Sequence, residues 1–172
     1  YLEQMAGKFF DLLQKYHGLG ERERLLLRLA AILHDCGKFI SMSAPGECAY
    51  QIIMSTEILG ISHMEREMVA SIVRYNTMEL PNFREFDGKL GNDEYLIVMK
   101  LAAILRVCNA LDRSHRQKFA DMKLTIKDSN IVITTAYPDN ITLEKKTLKD
   151  KQDFFEEVYG LGFEIKQKKK KQ

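Results

Sequence analysis

Apolar residues at Leu2, Met5, Phe9, Leu12 and Leu13 recur at the spacing of one helix face, which predicts a helix from Leu2 to about Tyr16. His17-Gly18-Leu19-Gly20 interrupts it. The pattern resumes at Leu25, Leu26, Leu29, Ile32 and Leu33, predicting a second helix from Glu21 to about Ile40 that carries His34 and Asp35 near its C-terminal end. Pro45-Gly46 breaks the chain before a third helix, placed from about Glu47 to Leu59. Ser62-His63-Met64-Glu65 has the form of a capping box and should open a helix from about His63 to Tyr75. Asn76 to Asn92, with Pro81, Gly88 and Gly91, reads as an irregular loop ahead of a long helix from about Asp93 to His115.

Beyond that helix the period changes. Lys123 to Ile126 and Asn130 to Ala136 alternate apolar and polar residues around Asp128-Ser129-Asn130, a hairpin signal. A helix from about Leu143 to Tyr159 and a short strand near Phe163 to Ile165 follow. The expected architecture is mainly α: a helical bundle over residues 1–118, a small α+β cap with an antiparallel hairpin over 119–166, and a basic tail over 167–172 that is expected to be disordered.

Size and composition narrow the class. A chain of 172 residues is one ordinary domain, and 45% hydrophobic with 29% charged residues describes a globular protein, not a disordered or fibrous one. No apolar run approaches membrane-spanning length. Cys36, Cys48 and Cys108 are odd in number and lack Cys-x-x-Cys spacing, which argues against a disulfide framework or zinc knuckle and suits a reducing cytoplasm. The start has no basic stretch followed by an apolar one, and opening on a helix without Met suggests a fragment. Five of the 26 Lys and Arg residues fall in the last seven positions, and without them the formal charge of +2 becomes −3. A lysine run can attract a polyanion, but its simpler reading is a solvated tail. No basic stripe with interleaved aromatics marks a specific nucleic-acid binder.

The informative dipeptide is His34-Asp35, set in Ala30-Ala31-Ile32-Leu33-His34-Asp35-Cys36-Gly37-Lys38. Imidazole nitrogen and carboxylate oxygen can hold a divalent metal between helices, and Lys38 would bring a cation near any bound phosphate. The competing reading is a hydrogen-bonded polar pair. His17, in a Gly-rich turn, His63, in the first turn of a capped helix, and His115, ending the long helix, all have structural readings.

At these residues the chain resembles the HD superfamily, whose helical domains hold a divalent metal with a histidine, the HD pair and a later aspartate. More closely it resembles the bacterial Ppx/GppA family of exopolyphosphatases and guanosine pentaphosphatases. The stretches that carry the resemblance are Phe9-Phe10-Asp11-Leu12-Leu13, His17-Gly18-Leu19 with Glu23 to Leu27, the His34-Asp35 segment running into Phe39-Ile40-Ser41, and Ala110-Leu111-Asp112-Arg113-Ser114. Ile131-Val132-Ile133, Leu143-Glu144 and Phe154 to Gly160 extend it through the cap.

The departures matter as much. Ala44-Pro45-Gly46-Glu47-Cys48 stands where the family usually has a histidine-rich segment, Asn76 where many members have histidine, and Cys108-Asn109 where an intact HD site would place its last aspartate. The upstream histidine would fall at or before Tyr1. A degenerate metal set of His34, Asp35 and Asn109 remains, and the neutral amide of Asn109 removes one charge from a site whose affinity depends on ligand charge.

The resemblance implies a C-terminal regulatory, substrate-channelling and dimerisation part of such an enzyme. It would pack on N-terminal actin-like ATPase-fold domains that carry Mg²⁺- or Mn²⁺-assisted hydrolysis of phosphoanhydrides, with no catalytic residue or cofactor of its own. None of the glycine-rich phosphate loops of those domains occurs in the chain. Candidate contacts to polyphosphate or guanosine pentaphosphate are Lys38, Arg74, Arg106, Arg113 and Arg116. The alternative is an active HD phosphohydrolase using a metal at His34 and Asp35.

Overall fold

Among the described residues seven helices and three strands follow the predicted order: α1 (Leu2–Leu12), α2 (Gln14–His17), α3 (Glu21–Leu33), α4 (Pro45–Ser55), α5 (His63–Thr77), α6 (Asn92–Leu111), β1 (Lys123–Lys127), β2 (Asn130–Thr135), α7 (Thr142–Tyr159) and β3 (Gly162–Gln167). The computed structural model describes residues 1–86 and 90–168; Gly88 of the expected loop and the lysines from 169 onward lie outside the described residues.

On the first helix the predicted face is the buried one at Leu2, Met5, Phe9 and Leu13, whereas on α3 only Leu26 of the predicted residues is buried and Ile32 is 57% exposed, so the buried face is shifted around the helix. Met5, Phe9 and Phe10 of α1 and Leu26, Leu27, Ala30 and Ala31 of α3 are sequestered together, and α6 buries nearly every residue from Leu101 to Leu111 as the central helix. The capping box closes as expected: Ser62 Oγ accepts the Glu65 amide at 3.2 Å, and a Glu65 carboxylate oxygen accepts the Ser62 amide at 2.7 Å. Left-handed glycines, Gly18 (φ 64°) and Gly160 (φ 66°), stop α2 and α7, where a side chain would be strained.

Four boundaries differ from expectation, one of them the end of α4 at Ser55, four residues before Leu59. The first helix breaks at Leu13 into α1 and α2. The long helix ends at Leu111, four residues before His115. The second helix ends at Leu33, so His34 is its cap and Asp35 lies in a turn that leads into a 3₁₀ turn over Cys36–Phe39. The cause of this last change is a close approach: a Cβ on Gly37 would lie 1.9 Å from the Pro45 carbonyl oxygen and 2.5 Å from the Ala49 amide nitrogen. The chain leaves the helix to lay this glycine against the first turns of α4.

In the cap, β1 and β2 form an antiparallel hairpin in which Lys127 pairs with Asn130 across a two-residue turn. Asp128 and Ser129 both take positive φ there, as the favoured primed turn requires. After α7 the chain returns as β3, parallel to β2, with Ile131 opposite Phe163 and Ile133 opposite Ile165. Phe163 meets Phe155 of α7 at 4.7 Å and Phe9 of α1 at 6.5 Å between ring centroids, so one hydrophobic core runs from bundle into cap. Among the described residues no helix is long and apolar enough to cross a membrane.

Arg22 joins α3 to α5 through a bidentate pair with Glu65 (2.5 and 2.8 Å). That hydrogen bond, with the Ser62 amide, lowers the Glu65 carboxyl from 4.5 to about 2. A depressed carboxyl contributes stability above its unfolded value and loses it as pH falls toward the folded one. The melting temperature should therefore drop between about pH 4.5 and 2, and this acid limb should flatten in Glu65→Gln; an identical limb in the variant would remove Glu65 from the explanation.

Candidate functional site

The ion pairs set how the helices run. Arg28 pairs with Glu3 and Arg24 with Asp11, so α1 and α3 are antiparallel. Arg22 with Glu65 places the starts of α3 and α5 side by side, and their C-terminal ends then share the other end of the bundle. Gly46, at the start of α4, sits against Arg74, Thr77 and Met78 at that same end. Arg106 of α6 donates from Nε to the Tyr75 carbonyl (2.6 Å) and from Nη2 to that of Met78. One end of the bundle therefore collects the start of α1, His34 and Asp35 after α3, Asn76 on α5, and the last turn of α6 with Asn109.

His34 Nδ1 lies 2.8 Å from the Ala31 carbonyl and is the donor, which turns Nε2 toward Asp35 Oδ2 at 3.4 Å. A ring nitrogen fixed by a backbone carbonyl is the arrangement that frees the other nitrogen as a ligand. Asp35 is already engaged, however, because its Oδ1 takes the Lys38 ammonium at 2.7 Å. Asn109 is half-buried, and its side chain makes no hydrogen bond with any described residue. Asn76 is buried, and neither of its amide atoms has a hydrogen-bond partner among the described residues. Among the described residues no three His, Cys, Asp or Glu side chains gather as a metal cluster. If the residues present held a divalent ion, its ligands would be His34 Nε2 and Asp35 Oδ2, with Asp35 released from Lys38.

The five candidate cations separate into two kinds. Arg74 is bound to Glu47 at 2.8 Å and lies over the rings of Tyr50 (5.1 Å) and Tyr75 (5.5 Å). Arg106 is 8% exposed, ties down two carbonyls and stacks on Phe154 at 4.4 Å, with burial pushing its guanidinium below the usual range. Both are used inside the fold. Arg113 and Arg116 are exposed and form no ion pair with any described residue, and Lys38 shares its charge with Asp35 alone.

The turn that presents Arg113 and Arg116 is locked. Asp112 accepts the Gln117 amide at 3.1 Å, and His115 and Gln117 adopt positive φ. Ser114 Oγ (2.5 Å) and Lys118 Nζ (3.0 Å) both donate to Glu144 of α7, which has no exposed surface. The remaining histidines are structural: His17 Nε2 donates to Phe10 and Nδ1 accepts from Leu19, with burial lowering its affinity for a second proton, and His63 accepts from Arg66.

A cleft of about 730 Å³ opens between the segment after α5, α6 and α7. Arg106 and Lys151 line it, but so do Glu79, Glu85, Asp150, Asp153 and Glu157. That charge balance does not suit a polyanion.

Sequence reasoning identified the cations but missed the internal role of Arg106. The signal for it was an arginine inside the otherwise apolar run from Leu101 to Leu111.

Compared with known families, residues 2–153 match the family model described as Ppx/GppA phosphatase, domain III. No curated protein matches the chain.

Proposed function

The chain belongs to the Ppx/GppA phosphatase family as its domain III, a part of a protein with further domains ahead of it, and on that premise we propose that it is a non-catalytic phosphate-guiding domain. In this reading the parent hydrolyses terminal phosphoanhydrides of polyphosphate or guanosine pentaphosphate in the cytoplasm. Its actin-like ATPase-fold domains bind Mg²⁺ or Mn²⁺ and perform the reaction, while this domain supplies a cationic surface and part of a homodimer contact.

The observation that carries the reading is the turn after α6. Arg113 and Arg116 are exposed on it with no carboxylate partner among the described residues, on a backbone held by Asp112, Ser114, Lys118 and Glu144. Uncompensated guanidinium groups on a fixed turn recognise phosphate oxygens without the ordering cost of a mobile loop. Lys38 adds a third cation at the same end of the bundle.

The second reading, a metal-dependent HD phosphohydrolase, draws on the Nε2 of His34, which faces Asp35 Oδ2 at 3.4 Å. A bound divalent ion would polarise phosphate and activate water there. The amide of Asn109 in place of a carboxylate argues against it.

Phosphate release and metal content of the 172-residue chain separate the two. The expected result is no turnover of nucleotide phosphates in Mn²⁺ and no melting shift on its addition, because a ligand bound only to the folded state must raise stability. One equivalent of metal together with turnover, both lost in His34→Ala, would establish the hydrolase reading instead.

A further inference from the structure

The cleft between the segment after α5, α6 and α7 is ill suited to phosphate, but its lining fits a different kind of ligand. Its volume, about 730 Å³, falls within the roughly 300–1,000 Å³ of small-molecule sites. Asp150, Asp153 and Glu157 recur three and four residues apart and so form one stripe along α7. Glu79 and Glu85 line the cleft from the segment after α5. All five carboxylates are exposed, and none forms an ion pair with a described residue. Met78, Leu80, Met99 and Phe154 supply apolar surface between the charges.

One cation of the lining is only partly engaged. Arg106 is 8% exposed, and Nε and Nη2 donate to the Tyr75 and Met78 carbonyls while the guanidinium stacks on Phe154. Its third nitrogen, Nη1, bonds to no described residue and is not among the sealed atoms of the interior, so its donors open on the cleft that Arg106 lines. Burial lowers this guanidinium below its usual range, and the field of Glu79 offsets that only in part. A nearly buried charge with no carboxylate paired to it among the described residues is costly. A carboxylate brought by a ligand would supply both the counter-charge and the acceptor for Nη1.

The rest of the ligand is set by the remaining charge. Five carboxylates against two cations, Arg106 and Lys151, leave the lining at −3, so the occupant is positive overall. A bare divalent ion does not meet these demands, because it brings no carboxylate and no three acidic or metal-ligating side chains gather as a cluster among the described residues. We propose that the cleft binds a basic α-amino acid of the arginine or lysine kind, with its carboxylate on Arg106 Nη1 and its cationic side chain among Asp150, Asp153 and Glu157. This site is distinct from the turn after α6 and independent of the phosphate-guiding role.

Isothermal titration of the 172-residue chain at low salt tests it with three probes. L-arginine is compared with agmatine, which keeps the guanidinium side chain but has no carboxylate, and with L-glutamate, which reverses the side-chain charge. The expected result is saturable binding of one equivalent of L-arginine, with agmatine roughly tenfold weaker for want of a charge-assisted bond to Arg106. Asp150→Asn/Asp153→Asn should weaken L-arginine by a similar factor, and both positions are exposed on α7, so the fold is kept. Agmatine binding as tightly as L-arginine would overturn the proposal, since the cleft would then be an acidic surface that attracts any cation. Equal binding of L-glutamate, or no saturable heat with L-arginine at millimolar concentration, would overturn it too. The probe comparison uses the unaltered chain, so it decides the matter whatever the variant does.

Discussion

Glu144→Ala should destabilise the domain by about 4 kcal/mol, the range seen when one partner of a buried ion pair is removed and the other charge is stranded. Glu144 has no exposed surface, and the side chain of Lys118, only 10% exposed, would lose its carboxylate. Ser114 would lose its acceptor as well. Since this carboxylate ties the turn after α6 to the first turn of α7, the loss is expected to loosen cap from bundle. Burial works to raise the Glu144 carboxyl, but the hydrogen bonds from Ser114, Lys118 and its own amide outweigh it and hold the group below the ordinary value. The sign follows: the pair stabilises above the unfolded carboxyl value, and this contribution disappears as pH falls through the folded one. Urea unfolding at neutral pH measures the effect. A loss under about 1 kcal/mol, the size of an exposed pair, would show that the network does not hold the junction.

Gly37→Ala should cost about 3 kcal/mol, at the upper end of overpacking penalties. The new methyl would meet the Pro45 carbonyl oxygen at 1.9 Å and the Ala49 amide nitrogen at 2.5 Å, and both are backbone atoms that move only if α4 moves. Gly46 of α4 is likewise pressed against Arg74 and Thr77 of α5, so a shift of α4 would disturb that contact as well. The effect should appear as a lower urea midpoint with an unchanged slope. A neutral Gly37→Ala would mean that the loop does not rest on α4 in solution.

Gly37 also shows why the sequence misplaces the end of α3. The apolar pattern continues through Phe39 and Ile40, and periodicity alone extends the helix over them. What ends it is a contact between residues eight to twelve positions apart, and the side chains that extend the pattern face outward instead of into the core. Where a boundary is set locally, the reading succeeds: the Ser62-Glu65 box starts α5, and Asp128-Ser129 turns the hairpin. The return of β3 parallel to β2 depends on where α7 docks against α6, which no short window records.

The candidate site was legible in residue type more than in role. Five cations were visible, but only tertiary contacts separate Arg106, buried against Tyr75, Met78 and Phe154, from Arg113 and Arg116, which project from a locked turn. Likewise His34 and Asp35 stood out as a pair, whereas the engagement of Asp35 by Lys38 arises from the turn that replaces the last helical residues. Asn76 departs from the family pattern in sequence, but that its buried amide has no hydrogen-bond partner among the described residues is visible only in three dimensions.

The most direct test of the phosphate-guiding role uses the parent enzyme with Lys38→Ala, Arg113→Ala and Arg116→Ala combined. Steady-state hydrolysis of long-chain polyphosphate should then show KM raised roughly tenfold, about 1.4 kcal/mol of lost binding, with kcat close to wild type. The increase should shrink as salt is added, because exposed charges are screened. A KM for long chains that stays at the wild-type value in low salt would contradict the account.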